Sequence, residues 1–535
     1  MPQYLTPGVY VEEVPSKSKP IEGVGTSIAA FVGLAPGGPV DTPVQISNWG
    51  AFVRTFGDPT DEKAGPFMAG AYLAHAVYGF FHNGGNLCWV VRVGADSAAG
   101  APQVGLPIAG DDAEGKEGFR AIALEGVEGV SLVLTEEDGG DDAKPKTEAD
   151  AKPDGEDAPG EVPAVPSKTY QLVVKVGGEE REKHEGLSLE KGGGYILTRV
   201  NTESKLIRLE ETTARLPAAQ RVPKPGTYEL VVAADGDATA LTSDQVEGDV
   251  DRRSGMGGLA AIDEITMLCV PDIMTMAAND DLLRDLQGKM IAHCENAGDR
   301  MAILDAPPGM LPPDVLSWRM NKAGYDSKFA TFYYPWIEVM DPISKKPIEV
   351  PPCGHVAGVW ARTDSTRGIH KAPANEVILG ANGLGFQVTQ AEQGDLNKNG
   401  VNCIRSFPGR GIRIWGARTL SSDPEWRYLN VRRLFNWVSE SILEGTQWAV
   451  FEPNDERLWS QLRIASSNFL TRVWRDGALL GGTPDQAFFV KCDAETNPPE
   501  MIEAGQVTVQ IGIAPVKPAE FIVFQISQFQ AGEAA

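Results

Sequence analysis

The sequence lacks the features that mark membrane-inserted and exported proteins. No stretch approaches the roughly 18 consecutive apolar residues that a membrane span needs, and the start, MPQYLTPG, has neither a basic region nor an apolar one. The six cysteines are scattered without a CxxC pair, and several stand in apolar runs such as LCWVV. We therefore predict buried free thiols in a protein made in the cytoplasm, without direct insertion into a membrane.

Basic residues are few relative to acidic ones. The chain of 535 residues has 48 Lys and Arg against 73 Asp and Glu, so its formal net charge is −25. Binding to nucleic acid depends on clustered cations that face phosphates. We therefore expect no nucleic-acid partner, and a charge that favours solubility.

Motifs of the common α/β enzymes are missing. There is no G-x-x-x-x-G-K-[ST] phosphate loop and no G-x-S-x-G nucleophile elbow, and the apolar strand EITMLCV runs into PDIMTM instead of a Gly-rich turn. Residues 395–400 imitate half a calcium loop, but Ser406 stands where the bidentate Glu would be needed, so we interpret the segment as a turn. We predict no cofactor, no metal site and no catalytic residue. The alternative is an acidic cytoplasmic α/β enzyme whose active-site residues are distant in sequence.

The order of the apolar segments predicts a mixed α/β fold with several domains. EITMLCV, a helix over 279–297 and RMAILD form a strand–helix–strand unit, which favours a partly parallel sheet. Residues 96–255 contain strand-like pieces around an acidic, Pro-rich stretch at about 135–166. We interpret this part as a β-rich insertion with a disordered loop, because the stretch has too few apolar groups to offset the ordering of its backbone.

The last third predicts two helices and several strands. Asp423-Pro424-Glu425 is typical of a helix start, and we expect that helix to reach about Gly445. A second helix is expected from Asn454, with five apolar residues on one face: Leu458, Leu462, Ala465, Phe469 and Val473. GVYVEEV near the start and EFIVFQISQF near the end read as strands without a local hairpin partner.

Both ends of the chain carry motifs of one known family. VNCIRSFPGRGIRIWGARTL, FNWVSESILEGTQWAVFEPNDERLW and PAEFIVFQISQF follow one another from Val401 onward, and YLTPGVYVEEVPS and GVGTSIAAFVG stand near the start. With these motifs the sequence resembles contractile tail sheath proteins, which surround the inner tube of contractile phage tails and phage-like injection systems. The resemblance covers all but about residues 96–255.

The resemblance implies a domain organisation and a function. The implied parts are an N-terminal linking arm (1–20), an outer α/β domain (21–95 and 256–400), the inserted domain (96–255), an inner C-terminal domain (401–515) and a C-terminal linking arm (516–535). The protein would be a structural subunit that polymerises helically around an inner tube protein and contracts to drive the tube through a target envelope. Baseplate and tail-terminator or cap proteins would be further partners, and the particle would be released from the producing bacterium or remain inside it.

The two isolated strands are the sites expected to link subunits. An unpaired strand is stabilised by adding to the edge of another sheet, and Pro residues beside both strands favour extended arms. In the family such arms are donated to neighbouring copies, with QVTVQIGIA here implied as part of the acceptor. The implied exchange residues are Val9, Val11, Val14, Phe521, Val523 and Phe524. From the residues alone, strands packed into the chain's own sheet are an alternative.

Arginines are concentrated in the C-terminal third, although the chain as a whole is acidic. Sheath proteins touch the tube through this domain, so the resemblance implies that Arg427, Arg432 and Arg433 of the first C-terminal helix face an acidic inner tube or a neighbouring subunit. The alternative is a solvated helix face, where each ion pair contributes only about 0–1 kcal/mol.

Overall fold

The computed structural model describes residues 20–58, 65–94, 103–108, 117–124, 129–137, 169–189, 192, 194–211, 222–230, 241–276 and 279–524. The predicted N-terminal strand with Val9, Val11 and Val14 lies outside the described residues, as does nearly all of the acidic stretch of the insertion. The chain divides into two compact units, one formed by Met1–Ala95 and Thr239–Ala535 and the other by Asp96–Ala238.

The helices and strands follow in chain order. The first unit begins with β1 (Ala29–Gly33), β2 (Val44–Ile46), α1 (Trp49–Phe56), α2 (Leu73–His82) and β3 (Cys88–Arg92). The second unit contains β4 (Gln103–Pro107), β5 (Glu117–Ala123), β6 (Val130–Glu137), β7 (Thr169–Val176), β8 (Glu179–Leu187), α3 (Ile196–Glu203), β9 (Ile207–Glu211) and β10 (Gly226–Glu229). The first unit continues with α4 (Ser243–Glu247), β11 (Met267–Cys269), α5 (Asp280–Ala297), β12 (Met301–Asp305), α6 (Pro312–Ser317), β13 (Ala330–Tyr334), β14 (Ile337–Met340), β15 (Pro347–Val350), α7 (Cys353–Arg367), β16 (Glu376–Val377), β17 (Gly383–Leu384), α8 (Gln390–Lys398), β18 (Val401–Phe407) and β19 (Gly411–Ile414). Its last elements are α9 (Leu429–Thr446), α10 (Glu456–Arg475), α11 (Pro484–Ala487), β20 (Phe488–Lys491), α12 (Pro499–Glu503) and β21 (Gln510–Ile513).

A nine-stranded sheet organises the first unit, in the order β16-β19-β18-β13-β12-β11-β1-β3-β2. Neighbours among the six strands from β18 to β3 pair in parallel, whereas the outer pairings β16–β19, β19–β18 and β3–β2 are antiparallel. Every residue of β1, β12 and β13 is buried, as expected for parallel strands packed on both faces. The mixed α/β fold predicted from the strand–helix–strand pattern is confirmed.

Two apolar clusters lie on opposite faces of this sheet. Ala29 and Phe31 of β1 belong to the cluster that includes Trp360 of α7, while Ala30 and Val32 belong to the cluster that includes Leu283 of α5. This alternation follows from the two-residue period of a strand. All six cysteines are buried and free, as predicted.

The second unit is a β-rich body, as predicted. β10-β6-β7-β8 form an antiparallel four-stranded sheet and β4-β5-β9 an antiparallel three-stranded one. The unit ends at Ala238, earlier than the limit of 255 set from the sequence. The difference arises because Val246 of α4 is buried in a cluster of the first unit.

The C-terminal part departs from the sequence prediction at two places. β18 pairs with β13 and β19 pairs with β18, so residues 401–414 complete the central sheet instead of opening a separate C-terminal domain. The first C-terminal helix begins at Leu429 and not near Asp423, whose carboxylate accepts a hydrogen bond from the backbone N–H of Glu425 in a turn. Short polar side chains cap turns as readily as helices, which explains the wrong boundary.

The helix predicted from Asn454 is confirmed as α10. Asp455 caps it by accepting from the N–H groups of Arg457 and Leu458, each at 2.9 Å. All five residues predicted to share its apolar face are buried. The segment 395–398, interpreted as a turn, instead forms the last turn of α8, which a capping box of Thr389 and Glu392 starts. No helix in the described parts of the chain is long and apolar enough to cross a bilayer.

Candidate assembly interface

Helices α9 and α10 share an apolar cluster with β20 and β21 at the C-terminal end of the chain. These two strands pair antiparallel across a connection that contains α12, and we call the pair the hairpin. Leu434 and Val438 of α9 pack with Phe469 of α10, and the ring centroids of Trp437 and Phe469 lie 5.5 Å apart. On the hairpin, four half-buried residues face the same cluster, namely Phe488, Val490, Ile511 and Ile513. The register pairs Phe488 with Ile513 and Val490 with Ile511, which puts all four on one face.

The hairpin has only two strands, so each strand has one edge without a neighbour. Among the described residues no further strand pairs with either outer edge. Phe489 is 60% exposed on the opposite face, where its ring covers Gly512. A Cβ at Gly512 would lie 2.1 Å from Cε1 of Phe489, so only glycine permits this packing. Unpaired edges beside an exposed aromatic ring are typical of a surface that accepts an added strand.

The C-terminal segment runs from the hairpin towards an exposed end. The backbone N–H of Val516 donates to the carbonyl of Ala478 at 3.2 Å, and the side-chain amide of Asn430 donates to the carbonyl of Val516 at 3.1 Å. Four consecutive apolar residues then follow, all more than 70% exposed and without helix or strand structure: Phe521, Ile522, Val523 and Phe524. Three of them are the predicted exchange residues of the C-terminal strand.

The segment that leads to the N-terminal arm is docked on the same helices. Ile21 is fully buried in the cluster of α9 and α10. Trp437 donates from Nε1 to the carbonyl of Val24 at 2.9 Å, and Ser441 Oγ accepts from the N–H of Val24 at 3.1 Å. A Cβ at Gly445 would lie 2.8 Å from Ile21, so a glycine in α9 permits the contact. Sequence reasoning missed this docking, although the small residue in α9 and the isolated Ile21 were its visible signals.

Arg433 is an internal residue, contrary to its predicted place on a contact surface. Its guanidinium group binds Asp364 of α7 in a bidentate pair, with Nη1–Oδ1 at 2.9 Å and Nη2–Oδ2 at 2.5 Å, and both side chains are at most 2% exposed. Nη2 also donates to the carbonyl of Thr26 at 3.1 Å, and the Trp360 ring lies 4.8 Å away. Burial raises the pKa of Asp364, and the charge of Arg433 offsets part of that effect. Arg433 therefore joins α9 to α7 and to the segment before β1, and its guanidinium group is not available to a tube.

Arg432 and Arg427 have different surroundings. Arg432 is 7% exposed, lies 4.4 Å from the centroid of Trp426, and donates from Nε to Oδ1 of Asn436 at 2.7 Å. Burial lowers the pKa of Arg432 to about 10. Arg427 precedes α9 and is exposed. Of the three predicted arginines, the structure leaves only Arg427 free to meet another molecule, because a buried guanidinium cannot approach a partner without rearrangement.

Two buried carboxyl groups lie at the carboxyl ends of parallel strands, where α/β enzymes usually place their active sites. Both groups, however, accept hydrogen bonds from backbone N–H groups. Asp272 follows β11, and its side chain accepts from the N–H of Leu34 at 2.6 Å and from that of Tyr72. Asp305 ends β12 and accepts from the N–H of Cys353 at 2.9 Å, which caps α7. Burial raises the pKa of Asp272 to about 6 and that of Asp305 to about 7, against hydrogen bonds that lower both. In the part of the chain that the structure describes, no group of three or more His, Cys, Asp or Glu residues is placed to hold a metal ion.

The raised pKa of Asp305 predicts a specific pH dependence of stability. A carboxyl whose pKa is raised by folding holds its proton more tightly in the folded chain than in the unfolded one. Its contribution to the free energy of unfolding is complete below the ordinary pKa of 3.8 and is lost as the pH rises through about 7. We expect Asp305→Asn to remove this contribution, so that the free energy of unfolding of wild type relative to the variant falls by on the order of 2 kcal/mol between pH 5 and pH 8. Urea unfolding of the dissociated chain at several pH values measures the difference. Asp395→Asn, at an exposed site, is the control, and equal pH profiles for wild type and Asp305→Asn would contradict the assignment.

Two family models match the chain in succession. The phage tail sheath protein central domain matches residues 252–420, and the phage tail sheath C-terminal domain matches residues 421–529. Together the two models span more than half of the chain. The central-domain match ends at residue 420, so it includes β18 and β19, which belong to the central sheet. The tail sheath protein of Burkholderia phage BcepMu is 23% identical over 541 residues, which covers 97% of this chain and 95% of that protein. The tail sheath protein of Salmonella phage ViI is 30% identical over 206 residues, 38% of this chain but only 32% of that protein's length.

Solved structures share the fold over nearly the whole length. The helical sheath of the anti-feeding prophage in its contracted state matches with a TM-score of 0.56 and 23% identity, over 98% of this chain and 99% of that one. The PVC sheath complex of an extracellular contractile injection system, also contracted, matches with a TM-score of 0.57 and 22% identity, over 99% of each chain. At these identities the likeness shows the fold.

Proposed function

Because the chain belongs to the family of contractile tail sheath proteins, we propose that it is a structural subunit of the sheath around the inner tube of a phage tail or phage-like contractile injection system. Copies assemble helically, and contraction of the assembly drives the tube through a target envelope. The family is one of structural proteins, and no comparison favours the alternative of an α/β enzyme.

The observation that carries the proposal is the pairing of an exposed apolar segment with an open sheet edge in the same chain. Phe521, Val523 and Phe524 are 75%, 79% and 83% exposed, and β20–β21 has two unpaired edges among the described residues. Both features are stabilised if the segment of one copy adds to the hairpin of the next. Such a head-to-tail contact does not close on itself when its rotation leaves an offset, so it generates a helical filament.

The proposed exchange involves both arms. Val9, Val11 and Val14 belong to the N-terminal arm, and residues 506–514, which include β21, form part of the acceptor. The docking of Ile21 and of Val516 on or beside α9 supports this arrangement, because both arms then leave from the region that carries the acceptor hairpin. Rigid subunits linked by arms can rotate and slide during contraction without separating.

We also propose which other molecules contact the sheath. An inner tube protein, a baseplate and a tail terminator or cap are expected beside the sheath itself, and matched assemblies include an anti-feeding prophage baseplate. Arg427 is the exposed candidate for contact with an acidic tube or a neighbouring copy. We propose that the chain is made in the bacterial cytoplasm and that the assembled particle is then either released or retained in the cell.

Negative-stain electron microscopy of the purified chain, alone and produced with its genomic neighbours, tests this function. We expect hollow helical cylinders, because the open edges and the exposed segment favour polymerisation. Uniform small particles under both conditions would refute the proposal.

A further inference from the structure

An enclosed ion pair lies directly before the exposed end of the C-terminal segment. The side chains of Arg418 and Glu520 are 11% and 19% exposed. Arg418 donates from Nε to Oε1 of Glu520 at 2.9 Å and from Nη2 to Oε2 at 2.6 Å. Bidentate arginine–carboxylate pairs of this kind are stronger than neutral hydrogen bonds and fix the relative orientation of both groups.

Two further donors converge on the same carboxylate. The side-chain amide of Asn397 in α8 donates to Oε1 at 2.7 Å, and the hydroxyl of Tyr428, just before α9, donates to Oε2 at 3.3 Å. Burial opposes ionisation of Glu520, but the bonds from Arg418 and Asn397 outweigh it and hold its pKa below the ordinary value. The carboxylate is therefore charged, and the contacts are complete, at neutral pH.

The contacts stop abruptly after this residue. Residues 514–516, 518 and 520 are half-buried, whereas the four residues from Phe521 to Phe524 are exposed. We infer that Arg418, Asn397 and Tyr428 form a receptor for the Glu520 carboxylate that fixes the point at which the C-terminal arm leaves the subunit. The inference rests on the proposed function, because only an exchanged arm needs a fixed exit point.

The receptor determines the length of unanchored chain between the subunit and the donated strand. If Glu520 were released, the nearest remaining anchor would be Val516, with its bonds to Ala478 and Asn430. Four more residues would become free, which is about 13 Å of extended chain. A longer unanchored segment lowers the effective concentration of the donated strand at the neighbouring hairpin. We therefore expect release of Glu520 to weaken assembly.

Hydrogen–deuterium exchange on the dissociated full-length chain tests the receptor itself. We expect Glu520→Gln and Arg418→Gln each to accelerate hydrogen exchange of the Val516 amide by about tenfold, because Val516 then becomes the last anchored residue and its bond to Ala478 opens more often by fraying from the free end. The double variant should be no faster than either single one, because both remove the same interaction. Glu503→Gln, an exposed substitution in α12, should leave exchange unchanged. Unchanged exchange in Glu520→Gln, or additive effects in the double variant, would overturn the inference; if Arg418→Gln fails to fold, Asn397→Ala takes its place.

Cylinder formation then separates this inference from the proposed function. We expect Glu520→Gln to reduce the yield of cylinders by about tenfold under conditions in which wild type and Glu503→Gln assemble. Full assembly by Glu520→Gln beside an assembling wild type would overturn the exit-point role alone. Absence of cylinders from wild type would count against the proposed function, while the exchange result would still report on the receptor.

Discussion

Replacing Phe521, Val523 and Phe524 together by Ser is expected to abolish helical cylinders while leaving the subunit folded. In the single chain these side chains are at least 75% exposed, so their loss removes little packing. On strand donation each would become buried, and burial of such a side chain contributes about 1.5–3 kcal/mol. The loss is therefore on the order of 6 kcal/mol for each contact between copies, or roughly four orders of magnitude in the association constant.

Circular dichroism would report the fold of the triple variant, and negative-stain microscopy its assembly. A matched control replaces three exposed apolar residues elsewhere in the chain by Ser, namely Val250, Leu311 and Ile343, which are 62%, 52% and 52% exposed. The control should still form cylinders, because its loss of apolar surface lies outside the proposed arm. Cylinders of normal length and number from the triple arm variant would rule out the C-terminal segment as an exchanged strand.

Removing one partner of the Arg433–Asp364 pair is expected to lower the stability of the subunit itself. Arg433→Met leaves the Asp364 carboxylate buried without its bidentate partner, and such losses typically cost about 3–5 kcal/mol. The double variant Arg433→Met/Asp364→Leu should recover most of that loss, since apolar side chains of similar size can replace a buried pair. Urea unfolding of the dissociated chain measures all three free energies.

Arg427→Met is the control for this prediction, because Arg427 is exposed in the same part of the chain. Its free energy of unfolding should stay within about 0.5 kcal/mol of wild type. If Arg433→Met were as stable as Arg427→Met, the internal role of Arg433 would be wrong. The predicted tube contact would then regain support at that position.

Patterns within one element were predictable because their cause is local. The apolar face of α10 follows from the 3.6-residue period, and its start follows from the Asp455 cap, both of which are written in adjacent residues. The parallel unit of β11, α5 and β12 was likewise visible as strand, helix and strand. The sheet partner of residues 401–414 was not, because β18 pairs with a strand that begins 71 residues earlier and nothing in its own residues specifies that neighbour.

The sequence by itself determined the composition class, the α/β character of the first unit, the β-rich insertion and, through its terminal motifs, the family. Only the tertiary structure decided which charged residues are internal. Arginine has an aliphatic stem and a polar head, so the same residue suits a solvated surface, an aromatic surrounding such as that of Arg432, or a buried pair such as that of Arg433 with Asp364. The anchoring of Glu520 by three residues 92 to 123 positions away was equally undetermined. Chain folding alone brings these donors to one carboxylate, because convergence of side chains in space is a property of the fold and not of sequence spacing.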